Sequence, residues 1–290
     1  MATPDSLPVE KCLQEYKSSF RSDLLRGKVA FITGGGSGIC FTIAEIFMRH
    51  GCDTAISGRK LDRLKLSSKT LSEATGRRCL PIQMDVRKPQ EVLDAVDSCL
   101  KEFGRIDILI NGAAGNFLCP LENMSFNAFK TVIEIDTLGT FNVSKVVFDK
   151  YFKSNGGVII NITAMLHHRG TILQAHVGSA KAAIETLTRH QALEWGPKGV
   201  RVLCVAPGPI ADTEGMSRLG MGASEKNISL RIPIRRMGTR QEIAEICLFL
   251  ASDMAGLITS STIEADGASW MADGSEDKRV EMYKAFISKM

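Results

Sequence analysis

Apolar residues fall in short unbroken runs that alternate with stretches of helical spacing. The strand-like runs occupy 28–33, 53–58, 79–84, 107–111, 157–162, 201–205 and 260–264. Between them apolar positions recur every three or four residues. Examples are Ile43, Ala44, Ile46 and Phe47, the segment Glu91 to Phe103 behind Pro89, and a long pattern from Ser125 to Phe152. Buried strands alternating with amphipathic helices predict an α/β domain of about seven strands, a parallel sheet with helices on both faces. Right-handed crossovers favour a doubly wound order, with ligands held at the carboxyl ends of the strands.

The ends and one insertion break this rhythm. Residues 1–26 are polar and mixed, an arm expected over the outside of the sheet, and 27–270 form the single domain. From Pro207 to about Thr239 the chain carries three prolines, several glycines and many basic residues. A long insertion after the sixth strand is where a substrate-covering lid belongs. Residues 271–290 form a tail ending in Ser288-Lys289-Met290, which differs from the peroxisomal address Ser-Lys-Leu only in its last apolar residue. The expected partner of that tripeptide is the peroxisomal import receptor.

Composition narrows the classes. With 44% apolar residues the chain buries a sizeable core, and disorder is excluded. A net charge of +4 without a dense Lys/Arg block gives no nucleic-acid footprint. No stretch is long and apolar enough to span a bilayer. Eight cysteines are scattered without metal-ligand or redox spacing, so free thiols and no metal are expected.

Candidate chemistry begins at Thr33-Gly34-Gly35-Gly36-Ser37-Gly38-Ile39, between the strand Val29–Ile32 and a helical pattern. A strand turning through glycines into a helix presents free backbone N–H groups and a positive helix end, which suits a pyrophosphate. The second strand then ends at Ile56-Ser57-Gly58-Arg59, with Arg63 one helical turn on and no carboxylate at the tip. A guanidinium there matches a 2′-phosphate, so NADP(H) is expected over NAD(H).

These pieces, with Asp85-Val86, Asn111-Gly112-Ala113-Ala114-Gly115, Ser179-Ala180-Lys181 and Pro207-Gly208-Pro209, resemble the short-chain dehydrogenase/reductase family over nearly the whole chain. The resemblance implies a Rossmann-type fold. It places Asp85 and Val86 at the adenine, Asn111 as a brace of the fourth strand end, and Pro207, Gly208, Pro209, Ile210 and Thr213 beside the nicotinamide. One loop glycine of the family is Cys40 here, whose side chain is expected to crowd the helix and weaken cofactor binding.

The family's usual Asn-Ser-Tyr-Lys set keeps only Lys181. The other positions hold Asp136, Ala164 and Val177, and Tyr16, Tyr151 and Tyr283 lie far off in sequence. Nothing is placed to protonate an alkoxide, which counts against a carbonyl (3-ketoacyl-type) reductase. Two alternatives stand: a non-catalytic NADP-binding scaffold, or a reaction that needs no phenol. Asn111 to Phe117, Ser125 to Lys130 and the terminal tripeptide resemble the family's dienoyl-CoA reductase branch, in particular its peroxisomal members. That resemblance implies NADPH-dependent reduction of a 2,4-dienoyl-CoA to a 3-enoyl-CoA in breakdown of polyunsaturated fatty acids, with an ordered water as proton source, in a homotetramer. It implies Lys181 on the nicotinamide ribose and Asp136 on the water. Arg87, Phe117, Ser125, Phe126, Asn127 and Arg218 would meet the acyl-CoA. His167, His168 and His176 lie near the expected site; at most one of the adjacent pair could donate a proton, a loop role is favoured for them, and the same holds for His176.

Overall fold

The computed structural model describes residues 10–166, 168, 170–213, 216, 224–272 and 284–288. Seven strands form one sheet: β1 (Val29–Thr33), β2 (Asp53–Gly58), β3 (Cys79–Gln83), β4 (Ile108–Asn111), β5 (Gly157–Ile162), β6 (Val200–Pro207) and β7 (Thr262–Ala265). Their order is β3-β2-β1-β4-β5-β6-β7 and every pairing is parallel. The order reverses between β1 and β4, which opens a crevice at the strand carboxyl ends, as the doubly wound expectation requires.

Helices α1 (Gly38–Arg49) and α8 (Arg240–Ala251) cover one face, packing Phe41, Ile46, Phe47 and Leu248 against Ile32, Ile110 and Val205. On the other face α3 (Pro89–Phe103) and α5 (Gly139–Val147) bury Val92, Val96, Val143 and Val147 against Phe31, Leu109 and Ile159. Helix α2 (Leu61–Thr75) flanks β3. Helix α4 (Phe126–Ile133) continues through a π-type turn, Glu134–Leu138, into α5, and α6 (Ala175–Trp195) crosses beside them. The helical pattern expected over 125–152 is therefore one rod with two π-type widenings, at Glu134–Leu138 around Asp136 and at Phe148–Phe152; such widenings are frequent at functional sites.

Residues 10–26 run along α1. Leu25 is buried there, with Leu13, Tyr16 and Phe20 packed against the same core. The Tyr16 hydroxyl lies 2.8 Å from His50 Nε2, and the Leu13 N–H donates to Glu45 at 2.9 Å. After β6 the insertion is pinched at its base, where Ala211 N–H donates to the Gly238 carbonyl and Gly238 N–H to that of Pro209. Within it a short helix, α7 (Glu225–Leu230), appears where the prolines and glycines gave no helical signal. All eight cysteines are unpaired. No described helix is long and apolar enough to cross a membrane, and the described residues hold no cluster of metal-ligating side chains.

Candidate active site

A cleft of about 950 Å³ opens at the carboxyl ends of the strands, near the top of the ordinary range for small-molecule pockets, roughly 300–1,000 Å³. Gly34, Gly36, Ser37, Gly38 and Ile39 line it, followed by Arg59, Arg63, Asp85, Val86, Lys181, Pro207, Gly208, Pro209, Ile210 and Thr213. Gly34 has φ +72°, and a Cβ there would lie 2.9 Å from the Gly112 carbonyl oxygen, so the turn admits only glycine. Gly38 (φ +58°) has nothing within 4 Å of its would-be Cβ, so space is open on that side of the start of α1. Gly35 instead lies against Ile56, 2.7 Å from the would-be Cβ, and serves packing on β2. A dinucleotide fits these features.

Cys40 does not push the strand away. Its Sγ fills the space in which a Cβ on Gly112 would stand, 2.0 Å off. Burial raises the Cys40 thiol pKa to about 12, so it is a neutral wall of the cleft. The next turn is pinned by Thr33, whose Oγ1 accepts from Gly112 N–H and Ala113 N–H at 3.0 and 3.1 Å. Asn111 lies below the cleft. Its amide donates to Ser144 and Asn161, stitching β4 to α5 and β5.

At the end of β2, Arg59, Lys60 and Arg63 converge on the cleft. Arg63 Nε donates to the Gly36 carbonyl at 3.2 Å, which ties this cation to the glycine loop. Sequence reading missed Glu10. Its carboxylate accepts from Gly38 N–H at 2.9 Å, pairs with Arg240 at 2.7 Å and lies 3.8 Å from Arg63. An acidic group seated at a helix amino end is favourable, but no local pattern announces a partner so distant in sequence. Asp85 is held by Arg87 Nε at 3.0 Å, and hydrogen bonds from Arg87 depress its carboxyl pKa. Arg87 thus reaches Asp85 and does not line the cleft.

The buried centre is the Asp136–Lys181 pair, 3.0 Å apart, with side chains 0% and 8% exposed. The π-type turn delivers Asp136 to Gly115 N–H, which donates to Oδ1 at 2.7 Å. Oδ2 meets Lys181 as an ion-pair contact whose angles fall short of a hydrogen bond. Lys181 also donates to the Ile162 carbonyl at 3.2 Å, fixing its ammonium against β5. Ala164 and Val177 line the cleft beside it, so no hydroxyl occupies either position.

The remaining expected residues are spread wider. Phe117 is 37% exposed and packs on His176 at a tilt of 39°, with ring centroids 4.3 Å apart. Ser125 caps α4 by accepting from Ala128 N–H, while Phe126 is 99% exposed. Neither they nor Asn127 line the cleft. His168 pairs with Glu264 and stacks on Trp270. Arg218, His167, Lys289 and Met290 lie outside the described residues.

A family profile described as Enoyl-(Acyl carrier protein) reductase matches residues 34–268. The chain belongs to the short-chain dehydrogenase/reductase family. It is 55% identical over 278 residues to the peroxisomal 2,4-dienoyl-CoA reductase [(3E)-enoyl-CoA-producing] of Danio rerio, covering 96% of this chain and 93% of that one. With the protein of the same name from Rattus norvegicus it shares 55% over 288 residues, 99% of each. A solved short chain dehydrogenase from Bacillus anthracis superposes with a TM-score of 0.79 at 35% identity, covering 85% of this chain and 97% of the other. The family's nicotinamide coenzyme belongs in the cleft just described. The glycine loop, the neutral thiol of Cys40 and the basic end of β2 are what this member brings to it.

Proposed function

We propose that the chain reduces a 2,4-dienoyl-CoA to a (3E)-enoyl-CoA in the peroxisome, with NADPH as the reductant. The activity and location are those for which its near full-length relatives are named. NADPH is our finer reading, carried by Arg59 and Arg63 at the cleft and the lack of a carboxylate at the tip of β2. When bound, the reduced coenzyme supplies the hydride that enters the far end of the diene.

The chain's residues handle the charge and the proton that follow. Two electrons arriving at the δ-carbon move the remaining double bond between the β- and γ-carbons, and negative charge spreads to the thioester oxygen. The Lys181 ammonium lowers the energy of that charge from close range in a largely water-excluded site. The same ammonium is positioned for the ribose hydroxyls. A water oriented by Asp136 gives its proton to the α-carbon, completing net addition of two hydrogens. Val177 and Ala164 remove the donors that would protonate an oxygen, so a ketone is a poor substrate. The observation that carries this reading is the buried Asp136–Lys181 pair beside a vacant phenol position.

The lid over 207–239, acyl contacts by Phe117, Ser125, Phe126, Asn127, Arg87 and Arg218, import through Ser288-Lys289-Met290, and a homotetramer on α4–α6 complete the proposal. The test mixes purified protein and NADPH with a dienoyl-CoA or a 3-ketoacyl-CoA. Loss of the dienoyl absorbance alone supports the reading. Ketone reduction alone, or coenzyme binding without turnover, overturns it.

A further inference from the structure

Behind the catalytic pair sits a histidine with no evident occupation. His176, on the first turn of α6, is 0% exposed, and neither ring nitrogen makes a well-formed hydrogen bond among the described residues, its nearest approach being to the Phe117 backbone. Burial depresses its pKa; the Phe117 backbone and the Asp136 carboxylate oppose that shift without overcoming it. A neutral imidazole carries one N–H donor and one acceptor. Two more enclosed oxygens of this region lack well-formed hydrogen bonds, Asn116 Oδ1 and Asp136 Oδ2, the latter in ion-pair contact with Lys181 at 3.0 Å. Asn116 is tied to α6 through Gln174 at 3.2 Å, and its neighbour Phe117 packs on the His176 ring.

Buried polar groups without partners are rare in native proteins and are commonly met by an enclosed water. A ring serving only as packing against Phe117 would be better served by an apolar side chain. We propose that His176 is a positioning residue for proton delivery, holding through an enclosed water the Asp136 carboxylate that orients the proton donor. The ring does not line the cleft, so it acts through Asp136 and not on the substrate. This rests on the dienoyl-CoA reading and extends it to a residue outside the cleft wall.

The test compares wild type, Asp136→Asn, His176→Phe and His176→Gln by dienoyl-CoA turnover, solvent isotope effect, NADPH binding and melting temperature. Phenylalanine keeps the stacking surface and removes both nitrogens. His176→Phe is expected to lower kcat at least tenfold and raise the solvent isotope effect. KM and NADPH affinity should stay within twofold, and the melting temperature should hold or rise. His176→Gln, with a donor and an acceptor, is expected to recover at least a third of the lost rate. If His176→Phe matches an active wild type, or loses rate only in step with stability and NADPH binding, the inference falls alone. A wild type inert toward dienoyl-CoA overturns the reading beneath it as well.

Discussion

Removing one member of the Asp136–Lys181 pair is expected to do more damage than removing both. At 3.0 Å the gross attraction is about 5.5 kcal/mol at an effective dielectric constant of about 20. Desolvation of two buried ions offsets most of this, so the intact pair adds little net stability over an apolar replacement. Lys181→Met strands the Asp136 carboxylate, fully buried, with Gly115 N–H as its one hydrogen bond. The expected cost is about 3–5 kcal/mol. Asp136→Asn leaves an ammonium that keeps the Ile162 carbonyl and touches the cleft, so about 3 kcal/mol is expected. The double variant retains the Gly115 contact through the asparagine oxygen and strands no charge, for a loss of about 1–2 kcal/mol. The coupling is then several kcal/mol, read by denaturant unfolding of the four proteins. In melting temperature each single change should appear as roughly 6–10 °C, at about 2 °C per kcal/mol for a chain of this size. Single losses that simply add in the double variant, within about 0.5 kcal/mol, refute the reasoning. Turnover should fall in all three variants, and NADPH affinity should stay near wild type only in Asp136→Asn.

Three further outcomes follow from the same contacts. Arg59→Asp places a carboxylate at the end of β2 and should shift preference from NADPH toward NADH; an unchanged ratio of the two kcat/KM values removes the 2′-phosphate assignment. Gly112→Ala drives a Cβ to 2.0 Å from Cys40 Sγ and should destabilise by about 1–3 kcal/mol. Adding Cys40→Gly should recover part of that loss, and a double variant no better than Gly112→Ala contradicts the packing account. Glu242 has its carboxyl pKa lowered to about 2 by Arg236, its strongest hydrogen-bond partner, and by Thr239 in the capping box of α8. A depressed folded pKa gives stability that is complete above the usual 4.5 and is lost as pH falls toward 2. Glu242→Gln should flatten that part of the acid-unfolding curve, and a curve superimposable on wild type counts against the assignment.

The seven strands were legible because most are short buried runs bounded by turn residues, the edge strands β3 and β7 being the less buried ones, and the observed limits differ from the sequence reading by two residues or fewer. The glycine loop and the basic β2 end were legible for the same reason, their chemistry depending on local spacing, whereas Lys181 was marked by the family resemblance. Ser125 carries a second local signal. A serine directly before a helical pattern is an N-cap signature, and that is the role it plays. Arg87 stands two residues from a carboxylate, and in the structure its guanidinium is paired with Asp85. Glu10 was hidden for a different reason, and so were the surroundings of His176. Their significance comes from groups brought together by tertiary packing, which periodicity does not encode.

The altered positions are better understood together than one at a time. Val177 and Ala164 take hydroxyls out of the cleft wall, which by itself describes decay of an active site. Asp136 replaces an amide with a charge, and a buried charge is strongly unfavourable unless paired. Here it is paired with Lys181, supported by Gly115 N–H, and reached through a π-type turn that the helix would otherwise straighten. Apolar replacements of such a pair are commonly as stable, so stability alone gives no reason for it. Its place beside the coenzyme cleft fits the proposed reaction, in which the proton reaches carbon through carboxylate and water.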